Sequence, residues 1–177
     1  MHMIIRNIVY AKNKVEALQK AKENMDYMVG DSGNEPFDYY VTFNHEGTPV
    51  SGKGRWGRGI PSVIKVDTSV GKKLIKEGWD WTKSTFRKNI DKVTTLIKDT
   101  DNVMDLMEDS TFRCYSNWIG QYSGSEVWLY DGDGSGITNK THLKNVLKKW
   151  SCLYEDEGKP NPYINDNIYV VPADVHH

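Results

Sequence analysis

The sequence has few cysteines, and neither stands in a pattern that binds metal or forms a disulfide framework. Cys114 and Cys152 are the only two, and they are far apart and outside any C-x-x-C pair. Secreted domains that rely on disulfides usually carry more of them, in even numbers. We therefore expect both thiols to be reduced and to serve as buried packing residues.

Long apolar segments are missing as well. No run approaches the roughly 18–20 residues that a membrane span requires, so no membrane association is predicted. The N-terminus lacks the basic and then apolar layout of a signal peptide. Met1-His2 is interpreted as an addition before a native start at Met3, so the domain is expected over residues 3–177. With the cysteine content, these absences predict a cytoplasmic protein.

The composition is typical of a folded domain. Hydrophobic residues make up 38% of the chain and aromatic residues 11%, which is more apolar material than disordered chains contain. A length of 177 residues fits one domain, which buries roughly two-thirds of its surface on folding. Such a domain folds without a metal or a disulfide, so we predict a single α+β domain.

Hydrophobic periodicity predicts strands and helices in alternation. The capping residues Asn13 and Asp67 or Thr68 precede the two clearest helical patterns, the second of which reaches Lys98. A short acidic helix is predicted after Thr100. The segment 111–122 is rich in aromatic residues and is predicted as a strand. The other predicted strands are 3–10, 37–43, 126–130 and 167–171, and a last helix is predicted over 141–150.

Without its central helices, the chain reads β-α-β-β-α-β. This order is typical of a ferredoxin-like, split β-α-β antiparallel sheet, and we predict that architecture. Residues 47–110 are then an insertion of a glycine-rich loop followed by helices. Pro172 is expected to end the last strand, because proline lacks the N–H that a sheet uses.

Positive charge is concentrated in one segment. Residues 51–98 hold twelve basic and four acidic side chains, a net charge of +8, whereas the whole chain has −1. A basic loop beside a basic helix indicates a partner that is a polyanion. The alternative is a solvated lysine face. The candidate anion-binding residues are Lys53, Arg55, Trp56, Arg58, Lys83, Arg87 and Lys88.

The loop 52–57 matches the pattern G-x-G-x-x-G. A dinucleotide fold needs a helix to start directly at this motif, and the next predicted cap comes about ten residues later. A narrower hypothesis is that glycine amides and basic side chains hold a phosphate while Trp56 stacks on a base. The alternative is a loop whose Trp packs back onto the domain.

The turn 131–136 resembles the start of an EF-hand calcium loop. Asp131, Asp133 and Ser135 occupy ligand positions, but His142 stands where the bidentate glutamate belongs. The turn is therefore the candidate site for Ca²⁺ or Mg²⁺, and a plain strand-to-helix connection is the alternative. No other cofactor is predicted.

Catalytic patterns are scarce, and no catalytic residue is predicted. The sequence favours a binding module over an enzyme, with a nucleic acid or an acidic protein as the anionic partner. The alternative is a metal-dependent phosphoesterase that combines Asp131 and Asp133 with His45 and Glu46, provided that the second and fourth strands adjoin. A third hypothesis is a homo-oligomer whose oppositely charged regions pair between subunits.

Overall fold

Helices cover both faces of a mixed five-stranded sheet. The computed structural model describes residues 1–30, 35–121, 127–148 and 166–176. A 3₁₀ helix, Val103–Met107, joins two of the helices. The strands are β1 (His2–Ala11), β2 (Tyr39–Thr42), β3 (Ile64–Lys65), β4 (Leu129–Tyr130) and β5 (Asn167–His176), and the helices are α1 (Lys14–Asp26), α2 (Gly52–Trp56), α3 (Ser69–Asp99), α4 (Ser110–Gln121) and α5 (Lys140–Val146).

The two longest strands form the centre of the sheet. β1 and β5 pair antiparallel along their whole length, from His2 opposite His176 to Ala11 opposite Asn167. The order is β2-β5-β1-β4, and β3 also pairs with β5. β1 and β4 are parallel, so the sheet is mixed and the predicted antiparallel, ferredoxin-like arrangement is not confirmed. The coarser prediction of an α+β fold is confirmed.

Alternate residues of the central strands enter two separate cores. On one face Ile5 and Val9 pack with Ala17, Ala21 and Met25 of α1. On the other face Ile8 and Val170 pack with Leu74 and Ile75 of α3, and Leu143 and Val146 of α5 join them. Since both faces are covered, the central strands are apolar on both sides.

Two predicted helices are confirmed. The side chain of Asn13 accepts hydrogen bonds from the amides of Val15 and Glu16 and so caps α1. Thr68 caps α3 by accepting from the Gly71 amide. α3 is continuous over 31 residues, which is about 46 Å at the helical rise. The predicted insertion 47–110 thus supplies β3 and α3 to the sheet and its cover.

The strand predicted over 111–122 is wrong, because α4 occupies that segment as far as the structure describes it. The Asp109 carboxylate accepts the Phe112 amide at 2.7 Å and starts the helix, which then packs against α3. Cys114, expected to be buried, is exposed on α4. Cys152 lies outside the described residues.

Three boundaries also differ from the predictions. The glycine-rich stretch contains a short helix, α2, rather than loop alone. His2, expected outside the fold, belongs to β1. β5 continues through Pro172, because the Arg6 amide opposite it bonds the Trp128 carbonyl on the β4 side. The Pro172 nitrogen therefore points away from β1, toward the gap between β3 and β2. Its lack of an N–H leaves no acceptor on β1 unpaired.

Candidate functional site

The basic residues of the glycine-rich segment lie beside the β2 edge of the sheet. The Gly52 amide donates to the buried Asp174 carboxylate at 2.8 Å, which fixes the start of α2 on β5. Glu46 lies 3.8 Å from Lys53 and 3.2 Å from Arg58. Arg55 stacks over the ring of Trp56, 5.6 Å from its centroid. Trp56 is 37% exposed, so the ring packs only in part against the domain.

The basic residues of α3 are held in pairs along the helix. Lys83 lies 2.9 Å from Asp80, and Arg87 lies 3.4 Å from Asp91. Hydrogen bonds from Lys76 and then Lys83 lower the pKa of the Asp80 carboxyl. Lys88 is exposed on the same helix. Pairs three and four residues apart are typical of a solvated helix face.

The predicted anion-binding residues fall into two separate groups. α2 is bonded to β5 near its pairing with β2. Lys83 follows Thr82, whose hydroxyl accepts the Trp128 amide just before β4. β2 and β4 are the two ends of the order β2-β5-β1-β4, which are about 14 Å apart at a strand spacing of ~4.8 Å. The loop residues and Lys83 are thus placed over different strands of the sheet.

The turn 131–136 is closed by its own first residue. One oxygen of the Asp131 carboxylate accepts the amides of Asp133 and Ser135, at 3.0 and 2.8 Å. The other lies 2.9 Å from Nε2 of His142. The predicted metal ligand Asp131 thus organises a strand-to-helix connection, and Asp133 is left exposed to solvent.

The four residues of the predicted phosphoesterase are divided. His45 and Glu46 follow β2, and Asp131 and Asp133 follow β4, so they lie at opposite edges of the sheet. The condition that the second and fourth strands adjoin is not met. Over the described ranges, no three His, Cys, Asp or Glu side chains are grouped to hold a metal ion.

A cleft of about 440 Å³ lies where the parallel strands β1 and β4 end. The chain leaves β1 for α1 on one face of the sheet, and it leaves β4 for α5 on the other. Adjacent parallel strands whose connections diverge in this way leave a crevice at their carboxyl ends, which is where open α/β sheets bind ligands. The lining residues are Val9, Tyr10, Lys20, Glu23, Asn24, Asp131, Gly132, Asp133, Asn145 and Val146.

Carboxylates outnumber ammonium groups in this cleft. Glu23, Asp131 and Asp133 line it with one lysine, Lys20. That ammonium group is already close to two further carboxylates, at 2.9 Å from Glu16 and 3.7 Å from the buried Asp166. Its hydrogen bond lowers the pKa of Glu16, and the Lys12 amide adds to the effect. The lining therefore has negative character.

Some buried polar atoms at or beside the cleft have no hydrogen-bond partner among the described residues. Within the described part of the chain, Nδ2 of Asn24 and Oδ1 of Asp166 are buried without one. Tyr130 precedes the 131–136 turn, and its buried hydroxyl has no partner among the residues that the structure describes; burial raises its pKa. Buried polar groups nearly always form a hydrogen bond with protein, water or a ligand. The unpaired donors and acceptors of this region are therefore available to a bound molecule.

Sequence reasoning found the acidic turn but missed the rest of the cleft. Lys20 and Asn24 stand in an ordinary amphipathic helix, and nothing in their spacing indicates a site. Asp174 was missed as well, although a charged residue within the apolar stretch of β5 is a detectable signal. Its carboxylate is fully buried and lies 3.0 Å from Nδ1 of His2.

Comparisons with known proteins give one match. The family model described as Domain of unknown function (DUF7995) matches residues 1–177. No curated protein and no solved structure matches the chain. Among the residues described, none of the helices combines the length and the apolar character needed to cross a bilayer.

Proposed function

The chain belongs to the DUF7995 family, and we propose that it is a binding protein for a small organic molecule that carries an amino group. The observation that supports this proposal is the position of the cleft at the carboxyl ends of β1 and β4. Its volume of about 440 Å³ lies within the usual range for small-molecule sites. Val9 and Val146 provide apolar contact in it, and the carboxylates favour a positive group.

In this proposal the polar residues of the lining either bind the ligand or shape the cleft. Glu23 and Asp133, both exposed, attract the amino group and pair with it. Asn24 offers a side-chain amide that has no partner within the described ranges. The Asp131 side chain holds the turn in place through the amides of Asp133 and Ser135, so it positions the wall of the cleft.

A thermal-shift assay tests the proposal. The panel consists of small amines, with neutral polyols and carboxylates of matched size as comparisons. A ligand at about a hundred times its dissociation constant raises the melting temperature by about 5–10 °C for a chain of this size. We expect amines to produce the shift and carboxylates to produce none.

Gly132 provides a variant that blocks the cleft. A Cβ atom at Gly132 would meet only the Ile8 carbonyl oxygen, at 3.8 Å, so Gly132→Leu adds bulk at the lining without a backbone clash. Gly59→Leu is the matched control, because its Cβ would have no atom within 4 Å. The shift should vanish in the first variant and persist in the second. A shift that survives Gly132→Leu places the ligand elsewhere.

Binding of an anionic partner is a second candidate function, and one further observation favours it. A hollow of about 250 Å³ between α3 and α5 is lined by Lys83 and Lys140 together with Trp79 and Phe86. Lys83 lies over the Trp79 ring, 6.0 Å from its centroid. Lysines beside aromatic rings suit the phosphates and bases of a single-stranded nucleic acid. The cytoplasmic location that such a partner implies stays a prediction.

Salt dependence tests the anionic partner. Contacts with phosphates release counterions, so affinity for a short single-stranded oligonucleotide should fall steeply as salt rises. Lys83→Gln with Lys140→Gln should weaken binding and reduce the salt slope, and Lys92→Gln with Lys98→Gln, both exposed on α3, is the matched control. Binding that does not depend on salt would exclude phosphate contacts.

A further inference from the structure

The turn between α3 and α4 carries an acidic and apolar surface. We call residues 99–109 the tip; it contains the 3₁₀ helix. Five of its eleven residues are acidic and none is basic. Three large apolar side chains are also exposed there: Val103 at 66%, Met104 at 63% and Met107 at 63%. Acidic charge and exposed apolar area therefore coincide in one short segment.

The shape of the tip is fixed by its own hydrogen bonds. Asn102 accepts the Met104 amide at 3.2 Å, and its amide group donates to Asp105 at 2.9 Å. Leu106 is the buried residue of the 3₁₀ helix. The methionines are thus held outward while the leucine anchors the turn, so their exposure does not come from a lack of structure.

A hollow at the tip adds a second feature. It measures about 210 Å³ and is lined by Leu96 and Leu106 with Asp99, Asp105 and Asp109. Apolar side chains with carboxylates around them match a lysine or arginine, whose stem is apolar and whose end is charged. The tip therefore complements a surface that is both basic and apolar.

We propose that the tip is a docking surface for a basic amphipathic helix of a partner protein. Such helices place apolar residues on one face and bind into apolar grooves. Methionine suits this role because its flexible, polarisable side chain adapts to different partners. The acidic residues pair with the basic face of the helix, and the hollow takes one long cationic side chain.

The probe is an amphipathic peptide of about 18 residues made of lysine and leucine, a length that gives a helix of about 27 Å. A peptide with glutamate in place of lysine is its control. Fluorescence anisotropy should show binding of the first peptide, weakening as salt rises, and none of the second. Equal binding of both peptides, or of neither, overturns the proposal.

Two pairs of variants separate the apolar and the charged contributions. Met104→Ser with Met107→Ser should weaken the lysine peptide about 10-fold or more, as loss of central contacts does. Asp101→Asn with Glu108→Gln should weaken it and flatten the salt dependence. The matched controls are Val15→Ser and Asp67→Asn, exposed residues elsewhere. If the Met104→Ser, Met107→Ser variant binds the lysine peptide as tightly as the unmodified protein does, the attraction is only electrostatic. The proposed docking surface is then wrong.

Sedimentation of the protein alone tests whether a second copy of the chain, rather than a partner protein, binds at the tip. If the tip binds a partner protein, the chain alone should sediment as one species at low and at high salt. Self-association that is lost in the Met104→Ser, Met107→Ser variant would overturn it, because a second copy of the chain would then occupy the tip.

Discussion

The two halves of α3, residues 69–83 and 84–99, carry lysines at similar density but have different surroundings. The first half crosses the sheet and buries Gly71, Leu74, Ile75, Gly78 and Thr82, whereas the second half buries Asn89 alone. α3 also contacts α4. Each half holds four basic and two acidic residues, so the net charge is +2 in both. Packing rather than charge therefore distinguishes the half of α3 that is buried on the sheet from the half that is mostly exposed.

A clash in the packed half should give the largest effect. A Cβ on Gly71 would lie 2.1 Å from the Lys65 backbone oxygen, so Gly71→Ala should lower the free energy of unfolding by about 2 kcal/mol. That equals about 4–8 °C in melting temperature. Ser84→Ala, in the exposed half, should stay within about 0.5 kcal/mol. Equal effects would show that α3 does not pack on the sheet as described.

A hydrogen bond found in both halves should give an intermediate effect. Thr82 and Thr95 each donate to the carbonyl four residues earlier, those of Gly78 and Asp91. Only Thr82 also accepts the Trp128 amide, at 3.2 Å. Thr82→Val should therefore cost about 1–2 kcal/mol because it leaves that amide without its acceptor.

Thr95→Val is the matched control and should leave the urea midpoint almost unchanged, because Thr95 is exposed. Chemical unfolding of both variants gives the comparison directly. A loss in Thr95→Val as large as in Thr82→Val would mean that the second half is also buried.

Ion pairs on the exposed half should give the smallest effect. Arg87 and Asp91 are 80% and 65% exposed and lie 3.4 Å apart. Exposed pairs contribute little to stability, so Arg87→Gln with Asp91→Asn should not move the melting temperature at low or high salt. A drop at low salt that disappears at high salt would instead show a structural role for the pairs.

Local signals in the sequence explain which parts of the fold could be predicted. Asn13 and Thr68 cap α1 and α3 as expected, because capping depends on neighbours in sequence. The same signal existed for α4, where Asp109 accepts the Phe112 amide. The aromatic residues that follow favour strands by propensity, and packing against α3 overrides that preference. Local chemistry thus gives helix starts more reliably than helix or strand type.

Pairing between distant strands could not be predicted. β1 lies beside β4, more than a hundred residues later in the chain, and this neighbour relation creates the cleft. The sequence identified the acidic turn after β4 but gave no reason to place it beside Lys20 and Asn24. For the same reason, the sequence could not show that α2 is bonded to β5 and that Lys83 lies next to the residue bonded to Trp128 before β4.

The most direct test of the account is to map the ligand on the protein. Two-dimensional ¹H–¹⁵N NMR spectra would be recorded while the best amine of the thermal-shift panel is added. The largest amide shifts should fall on the cleft residues Tyr10, Asn24, Gly132, Asp133 and Asn145. Shifts concentrated on α2, on the outer face of α3 or on the tip, with the cleft unchanged, would contradict it.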